Sequence, residues 1–429
     1  MAGTAVVGSG NYELFIDTGF IQDGFILDAN PEGILNNTQY VLDGTTDFAS
    51  VLDGCINVKV KRGRADVGDQ FGAGIMSFTM LDTSGIFNPF DENSPYFNTS
   101  LAQPGLAPMR EVELVRYDIS NNAQYVFKGK IINFNYNFAL GGLDTVTVFC
   151  ADDLYLLSQT VLDEFNVSEQ LASQRLTAVL DLPEVNYPVA ARNISTATQI
   201  LGGASAFTVE QGTNALAYCQ QINDAEQGRL FVSRAGVLNF QPRIGNTLSG
   251  SVADFHDDGT NISYNELGIT FEADAVVNRA VVQILGSNNP QVADDTASQA
   301  TYFIQTTSIT NSLLHNDTAA ANLATYLLDG EPQARYTSVG TSFNMLTSAQ
   351  RDALTLLDIG QTITIEKTFT SGAGTTELAQ ELAIEGIEIN LDLRTGTNVL
   401  LFTSPTVIVF ELILDDAIYG ILNADNVLG

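Results

Sequence analysis

Few residues in this chain have the type and spacing that catalysis requires. The two histidines, His256 and His315, each lie in a polar segment, which favours surface side chains over a buried acid–base group. Adjacent carboxylates recur, but glycoside hydrolysis needs two carboxylates on opposite sides of a sugar, which adjacency does not provide. Examples are Asp152/Asp153, Asp257/Asp258, Asp294/Asp295 and Asp415/Asp416. The HExxH, GxSxG, Walker and dinucleotide-binding glycine motifs are also missing, so we predict no enzymatic activity and no cofactor.

The cysteines carry no recognisable site. Cys55, Cys150 and Cys219 lie far apart, without the spacing of metal ligands, and an odd number cannot form a complete disulfide framework. We predict no metal site, and we interpret the cysteines as buried thiols of a protein made in a reducing cytoplasm.

Positive charge is concentrated in one short segment. The chain has 18 lysines and arginines against 50 aspartates and glutamates, a formal net charge of -32. Within VKVKRGRADVGDQFGAG, residues 58–74, four basic residues occupy six positions: Lys59, Lys61, Arg62 and Arg64. One interpretation is the solvated face of a strand end. The alternative is a contact surface, which the rest of the sequence must support.

Composition and charge exclude several classes of protein. With 45% hydrophobic and 16% charged residues, the chain has enough apolar surface to fold compactly. An acidic surface repels nucleic acid and anionic lipid, which disfavours sequence-reading nucleic-acid binding. The acidity is explained either by adaptation to high salt or by a surface past which a polyanion slides without binding. The most apolar segment, residues 398–414, contains Thr, Ser, Pro and Glu and is short for a bilayer, so we predict no membrane span.

Strand patterns dominate the sequence and predict a mainly β fold. Polar and apolar residues alternate in IMSFTML (75–81), NFNYNFAL (133–140) and LAIEGIEINLDL (382–393). In INVKV, the pattern predicts Ile56, Val58 and Val60 pointing inward and Lys59 outward. The segment REVELVRYDISNNAQYVFKGKI is typical of a hairpin that turns at SNN.

Helical patterns divide these strands into domains. The segment ADDLYLLS (151–158) is predicted to form a short helix. Apolar residues recur at helical spacing in VSEQLASQRLTAVLDLPEV and TNALAYCQQINDAEQG, and a further helix is predicted with Asp317 as its N-cap. The predicted order is an N-terminal arm (1–44), a first tube-like antiparallel β-barrel (45–160), a small α/β domain (161–250), a second tube-like β-barrel (251–405) with a helix at 317–328, and a C-terminal tail (406–429). Segments 25–37 and 412–425 share an ILD and a GILN and are interpreted as matching arms.

A series of motifs runs nearly end to end along the chain. It begins with VKVKRGRADVGDQFGAGIMSFTMLDTSGIFNPFDENSPYF (58–97) and continues with PGLAPMREVELVRYD, VFKGKI and VTVFCADDLYLLS. TNALAYCQQINDAEQGRLFVSRAGVLNF, LAIEGIEINLDL and LDDAIYGIL follow. In this order the motifs resemble the minor tail or tail-hub proteins of long-tailed bacteriophages, which are related in fold to the baseplate hub of contractile tails. The chain lacks the Trp that the family often carries near its last strands.

The resemblance implies a structural protein of the virion tail tip, made in the host cytoplasm. It implies a homotrimeric ring in which each subunit contributes two tube-like β-barrels, so that six barrels match the sixfold tail tube. The partners it implies are a distal tail or tail tube protein, the tape measure protein, and other tail-tip proteins or fibres. DNA would pass through the lumen during ejection without specific binding, and carboxylates lining the lumen would account for the acidity.

Within such a ring, the basic segment becomes a candidate subunit interface. Subunits of like charge need specific attractive contacts to close a ring, and a compact basic cluster facing acids of a neighbour would supply them. We therefore predict interface roles for Lys59, Lys61, Arg62 and Arg64, with Asp66 and Asp69 pairing with them within the chain or across it. Two rival classes stay open: a host-surface (receptor or glycan) binding tail module, and an enzyme of unfamiliar type with a cleft of carboxyl groups of raised pKa.

Overall fold

The computed structural model describes most of the chain. The described residues are 5–7, 10–22, 45–65, 69–98, 102–140, 142–203, 207–243, 250–271, 275–332, 334–371, 374–392, 395–405, 410–411 and 426–427. Asp66 and the matching segments at 25–37 and 412–425 lie outside these residues.

A first β-region contains the strands predicted between residues 45 and 157, joined by strands from the N-terminal segment. Its strands are β1 (Ala5–Val7), β2 (Gly10–Gln22), β3 (Thr45–Ser50), β4 (Cys55–Gly63), β5 (Ile75–Leu81), β6 (Phe97–Asn98), β7 (Gln103–Pro104), β8 (Glu111–Tyr117), β9 (Ala123–Asn137) and β10 (Thr145–Ala151). Met76, Phe78 and Met80 are buried on one face of β5, as predicted. The predicted hairpin is confirmed in β8 and β9, and Asn121 supplies its turn with a φ of 63°.

An α/β unit follows. Its first elements are α1 (Asp153–Gln159), β11 (Val161–Leu162), β12 (Gln170–Leu171), α2 (Ala172–Leu180), β13 (Arg192–Ile194), β14 (Ile200–Leu201), β15 (Thr213–Asn214), α3 (Ala215–Glu226), β16 (Arg229–Val232) and β17 (Leu238–Gln241). The helices α1 to α3 lie where the sequence predicts them. Side chains cap two of them, because Asp152 accepts a hydrogen bond from the Leu154 N–H and Asn214 accepts one from the Ala217 N–H.

The segment between residues 276 and 328 also packs into this α/β unit, although the sequence assigns it to the second β-region. The chain first passes through three strands of that region, β18 (Asp254–His256), β19 (Ile262–Ser263) and β20 (Glu266–Thr270). It then forms β21 (Arg279–Ile284), β22 (Gln291–Asp294), α4 (Thr296–Tyr302), β23 (Thr306–Ser312) and α5 (Asp317–Tyr326). Ala280, Val282 and Leu323 share one core with α2 and α3. Periodicity identifies a buried face but not the core that the face joins.

The N-cap of α5 is Asn316, one residue before the predicted Asp317. The Asn316 side chain accepts a hydrogen bond from the Ala319 N–H at 2.8 Å, while Asp317 is the first helical residue. An asparagine satisfies the free N–H groups of a first turn as well as an aspartate does, so composition does not distinguish the two positions.

The second β-region is completed after α5. Its remaining elements are β24 (Arg335–Ser342), α6 (Ser348–Leu356), β25 (Thr362–Ser371), β26 (Gly374–Asp392) and β27 (Gly396–Pro405), and the chain ends with β28 (Phe410–Glu411) and β29 (Asn426–Val427). The predicted strands QTITIEKTF and LAIEGIEINLDL lie within β25 and at the centre of the long β26.

Both β-regions belong to one sheet of 15 strands. The order is β1-β2-β8-β9-β10-β5-β4-β26-β25-β18-β19, with β3 beside β2 and with β27, β24 and β20 branching from β26. Buried side chains of both β-regions form one core, in which the rings of Tyr12 and Phe343 stack 6.3 Å apart. The mainly β class is confirmed. The described strands form no closed sheet, so the two barrels stay a prediction.

The three cysteines are buried and free, as the sequence predicts. Burial raises the pKa of Cys55 and of Cys219 to about 12, because a thiolate is poorly stabilised away from water. These thiols therefore stay protonated at neutral pH and pack as small apolar groups.

The two β-regions meet at a seam, the antiparallel pairing of β4 with β26. The pairing runs from Asn57 opposite Asp392 to Gly63 opposite Gly386. Gly63 has a φ of +79°, and a Cβ atom there would overlap the carbonyl oxygen of Glu385. A Cβ atom on Gly386 would overlap the carbonyl oxygen of Arg64. Only glycine lets the two backbones approach this closely at the end of the seam.

Replacing Gly63 with alanine should therefore weaken the seam. For Gly63→Ala we expect a loss of at least ~1–3 kcal/mol in the free energy of unfolding, because the strained φ and the backbone overlap add together. Gly85→Ala is the matched control, since Gly85 has a φ of +73° but no atom lies within 4 Å of the position that an alanine methyl group would take there. Urea unfolding of both variants measures the difference. Equal losses would show that strain, not the close approach at the seam, sets the requirement for glycine.

Candidate functional site

The seam unites eight strands into one continuous exposed face. In order across the sheet they are β9, β10, β5, β4, β26, β27, β24 and β20. Directly opposed residues of neighbouring antiparallel strands point to the same side of a sheet. The register places such residues in three transverse rows. The first row is Asn135, Thr147, Thr79, Asn57 and Asp392; the second is Asn133, Phe149, Ser77, Lys59, Asn390 and Asn398; the third is Ile75, Lys61, Glu388, Leu400, Gly340 and Glu266. We call the surface formed by these rows the shared face.

The residues between these rows fill the core beneath the shared face. Val58 and Val60 of β4, Met76 of β5 and Leu391 of β26 are all buried. This is the period-two pattern of a sheet with one buried and one wet side. The predicted inward position of the two valines and outward position of Lys59 are both confirmed. Ile56, also predicted inward, is only partly buried, because a β-bulge interrupts the alternation between Cys55 and Asn57.

The shared face is concave at its centre. An open groove of about 580 Å³ is lined by residues of both β-regions. Ile75 and Phe149 lie on the side of the first β-region, and Leu400 lies on the side of the second. Lys59 and Asn390, which are paired across the seam, lie between them. The groove therefore exists only because the two β-regions are joined.

Charged side chains are few on the shared face. Its rows contain two lysines and three carboxylates, from Asp392, Glu388 and Glu266, which leaves one net negative charge. Lys61 Nζ lies 2.9 Å from Glu388 Oε1, and both side chains stay partly exposed. An ion pair in contact with water contributes little to stability, so this pair mainly balances charge on the face.

Amides and hydroxyls make up most of the remaining rows. The Thr79 and Thr147 hydroxyls lie 3.1 Å apart across β5 and β10. Asn133 Nδ2 donates to Asn135 Oδ1 along β9 at 3.2 Å. The predicted alternation of asparagine with aromatic residues in this strand therefore places its amides on the shared face.

The alternation of β4 divides the basic segment between two sides of the sheet. Lys59 and Lys61 point into the shared face, whereas Arg62 points to the opposite side and is 3% exposed. Arg62 Nη1 donates to Asp358 Oδ1 at 2.6 Å, and Asp358 Oδ2 accepts the Arg234 N–H at 3.0 Å. Asp358 lies between α6 and β25, so Arg62 ties the first β-region to the second.

Arg64, just beyond the end of β4, binds a buried carboxylate. Its Nε donates to Glu385 Oε2 at 2.8 Å, and Arg229 Nη2 of the α/β unit donates to Glu385 Oε1 at 2.5 Å. The Ser404 hydroxyl of β27 donates to the same Oε1 at 2.7 Å. Glu385 is 1% exposed. One carboxylate therefore joins the first β-region, the α/β unit and the second β-region.

The two guanidinium groups keep Glu385 ionised. Burial by itself raises the pKa of a carboxyl group, because it disfavours the charged form. At Glu385 the charges of Arg229 and Arg64, with the hydrogen bonds from Arg229 and Ser404, outweigh burial and lower the pKa below its ordinary value. The carboxylate is thus a fixed negative charge at neutral pH.

These contacts refine the predicted subunit interface. Arg62 and Arg64 have carboxylate partners within the chain, and the Asp69 backbone oxygen accepts from Arg64 Nη1 at 2.9 Å. Lys59 and Lys61 remain exposed on the shared face. A role of these residues between subunits stays a prediction, with the two lysines best placed to contact another molecule.

Sequence reasoning missed the partners of the arginines. Asp358 is 296 residues from Arg62, and Glu385 is 321 residues from Arg64. A signal for Glu385 was present in LAIEGIEINLDL. The apolar residues of its alternation move from even-numbered positions, which end at Ile384, to odd-numbered positions, which begin at Ile387. The structure has a β-bulge there, and Glu385 is the extra residue that turns toward the arginines.

Other chemistry is sparse in the described part of the chain. No group of three or more His, Cys, Asp or Glu side chains is placed there to hold a metal ion. None of the helices described there combines the length and the apolar character that a membrane crossing requires. His256 and His315 are both partly exposed, in agreement with the sequence.

Two solved structures have a similar arrangement of elements. The crystal structure of the tail protein from Neisseria meningitidis MC58 is 13% identical, with a TM-score of 0.55 over 85% of this chain and 95% of that one. The 43 kDa tail protein of prophage MuSo2 from Shewanella oneidensis is also 13% identical, with a TM-score of 0.52 over 84% of this chain and 95% of that one. This chain shares the fold of these tail proteins. The resemblance to phage tail proteins predicted from the sequence is thus confirmed at the level of the fold. No protein-family model and no curated protein sequence matches the chain.

Removing the Glu385 charge should destabilise this tail-protein fold. Glu385→Gln leaves two partly buried guanidinium groups without their buried counter-charge, so we expect a loss of about 3–5 kcal/mol in the free energy of unfolding. Glu388→Gln, in the same strand, removes one exposed partner of Lys61 and should cost less than ~1 kcal/mol. Urea unfolding at neutral pH compares the two. A similar cost for both would contradict the central role of Glu385.

The lowered pKa of Glu385 also predicts an acid dependence. The stabilisation by its ionised form is present above the ordinary carboxyl pKa and is lost as the pH falls through the lower folded-state value. The stability difference between the wild type and Glu385→Gln should therefore shrink below about pH 4.5. Thermal unfolding midpoints measured in steps from neutral to acidic pH test this. A difference that stays constant with pH would show that the carboxylate is not the group that titrates.

Proposed function

We propose that the protein is a structural hub of a bacteriophage tail tip or baseplate, forming a homotrimeric ring between the sixfold tail tube and the tip complex. The observation that carries this proposal is the seam. One chain provides two β-regions side by side in a single sheet, so three chains provide six such regions around an axis. Six regions from three subunits fit a sixfold tube on one side and a threefold partner on the other.

The open edges of the sheet give a physical reason for assembly. Among the described strands, β3 pairs only with β2, and β20 pairs only with β24. Unpaired strand edges present free N–H and C=O groups that another chain can pair with. A head-to-tail contact of this kind closes into a ring when its rotation fits. Completion by a neighbour would also allow each β-region to form a tube-like barrel.

The proposed hub acts by position and not by catalysis. Its partners are a distal tail or tail tube protein, the tape measure protein, and other tail-tip proteins or fibres. It resides at the tail tip of the virion, and DNA passes through its lumen during ejection. The similarity in fold to two tail proteins supports this assignment.

Electron microscopy of the purified protein tests the ring. We expect class averages with threefold symmetry, six regions of density and an open channel. Light scattering should give a mass of about 138 kDa, three times the 46.1 kDa of one chain. Monomers at every accessible concentration, also in the presence of tail tubes, would contradict the hub. Monomers that bind host cells would instead support the host-surface binding module.

A further inference from the structure

The shared face has the extent and continuity of a channel wall. It crosses eight strands, which at 4.8 Å between strands corresponds to roughly 34 Å along the curved sheet. The reverse side of the same strands is buried in the core. If these strands face a channel, they can therefore do so only with the shared face.

We propose that the shared face is the surface over which double-stranded DNA passes, and that its uncharged amides and hydroxyls are what keep the DNA from binding. This inference rests on the hub function proposed above. It assigns a face and a chemistry to the channel, neither of which the sequence could provide.

The chemistry follows from how proteins hold DNA. Affinity for the DNA backbone comes mainly from lysine and arginine side chains that neutralise phosphates and release counterions. On the shared face, Lys61 is balanced by Glu388, and the three rows carry one net negative charge. Neutral side chains such as Asn133, Ser77 and Asn390 hydrogen-bond to water without releasing counterions. The face therefore neither traps a polyanion nor strongly repels it.

This differs from the carboxylate lining expected from the composition. Of the 50 carboxylate side chains of the chain, only Asp392, Glu388 and Glu266 lie in the three rows. Most of the charge of -32 therefore lies away from the shared face. On those other surfaces the negative charge repels DNA within roughly 8–10 Å at moderate salt, and this repulsion discourages DNA from adsorbing there.

The test adds positive charge to the shared face. In Asn133→Lys/Asn390→Lys/Asn398→Lys, three lysines join Lys59 and Lys61 along the second and third rows. The matched control is Thr306→Lys/Ser308→Lys/Thr310→Lys on β23, where all three side chains are exposed. Both variants gain the same charge, on surfaces that belong to different parts of the chain. Binding of fluorescein-labelled double-stranded DNA is measured by anisotropy at several salt concentrations.

We expect no measurable binding by the wild type and at least roughly ten-fold tighter binding by the face variant than by the control. With three new phosphate contacts, the affinity of the face variant should fall about 40-fold between 50 and 200 mM salt. Equal affinities of the two variants, absence of binding by both, or binding by the wild type would each overturn the proposal.

A second variant covers the case in which three lysines prevent folding. Glu266→Gln/Glu388→Gln removes negative charge from the face without enlarging any side chain, and it should raise DNA affinity in the same direction by a smaller factor. DNA binding is measured whether or not a ring forms. Failure to form a ring therefore counts against the hub. Equal DNA affinities of the face variant and the β23 control count against the assignment of the face.

Discussion

A single buried carboxylate holds the three parts of this chain in register. Glu385 accepts hydrogen bonds from Arg64 of the first β-region, Arg229 of the α/β unit and Ser404 of the second β-region. Taking such a charge out of water is costly, and the two guanidinium groups together with the Ser404 hydroxyl offset that cost. An arrangement that separated any one of the three parts would remove at least one of the partners of this buried charge. The ion pairs therefore favour one relative placement of the parts over others.

The β-bulge at Glu385 is what makes this arrangement possible. It turns one side chain of β26 toward the arginines, while the residues that follow return to regular pairing with β4 and β27. Gly63 and Gly386 allow the two strands to approach closely at the same place. The seam is thus fixed at one end by charge and close backbone contact, and along its length by ordinary antiparallel pairing.

The same strand has different roles on its two sides. In β4, Arg62 points to the inner side and pairs with Asp358, whereas Lys59 and Lys61 point into the shared face. The inner side needs arginine, because a buried cation must keep its charge and satisfy directional bonds. The outer side tolerates lysine, because water solvates its ammonium group. The unusual concentration of basic residues in one segment therefore serves both the joining of the two β-regions and the balance of charge on a surface that crosses them.

The sequence by itself determined the local structure: the strands of β5, β8 and β9, the helices α1 to α3, the hairpin turn at Asn121 and the burial of the cysteines. Each of these depends on periodicity, caps or turn residues within a few positions, which a single sequence displays. It also indicated the tail-protein fold through the order of its motifs. Only the tertiary structure decided which core receives α5, that β4 pairs with β26, and that Glu385 meets Arg64 and Arg229. Glu385 lies 321 residues from Arg64 and 156 from Arg229. A period-two pattern marks a wet or a buried face without specifying the strand beside it or the molecule that faces it.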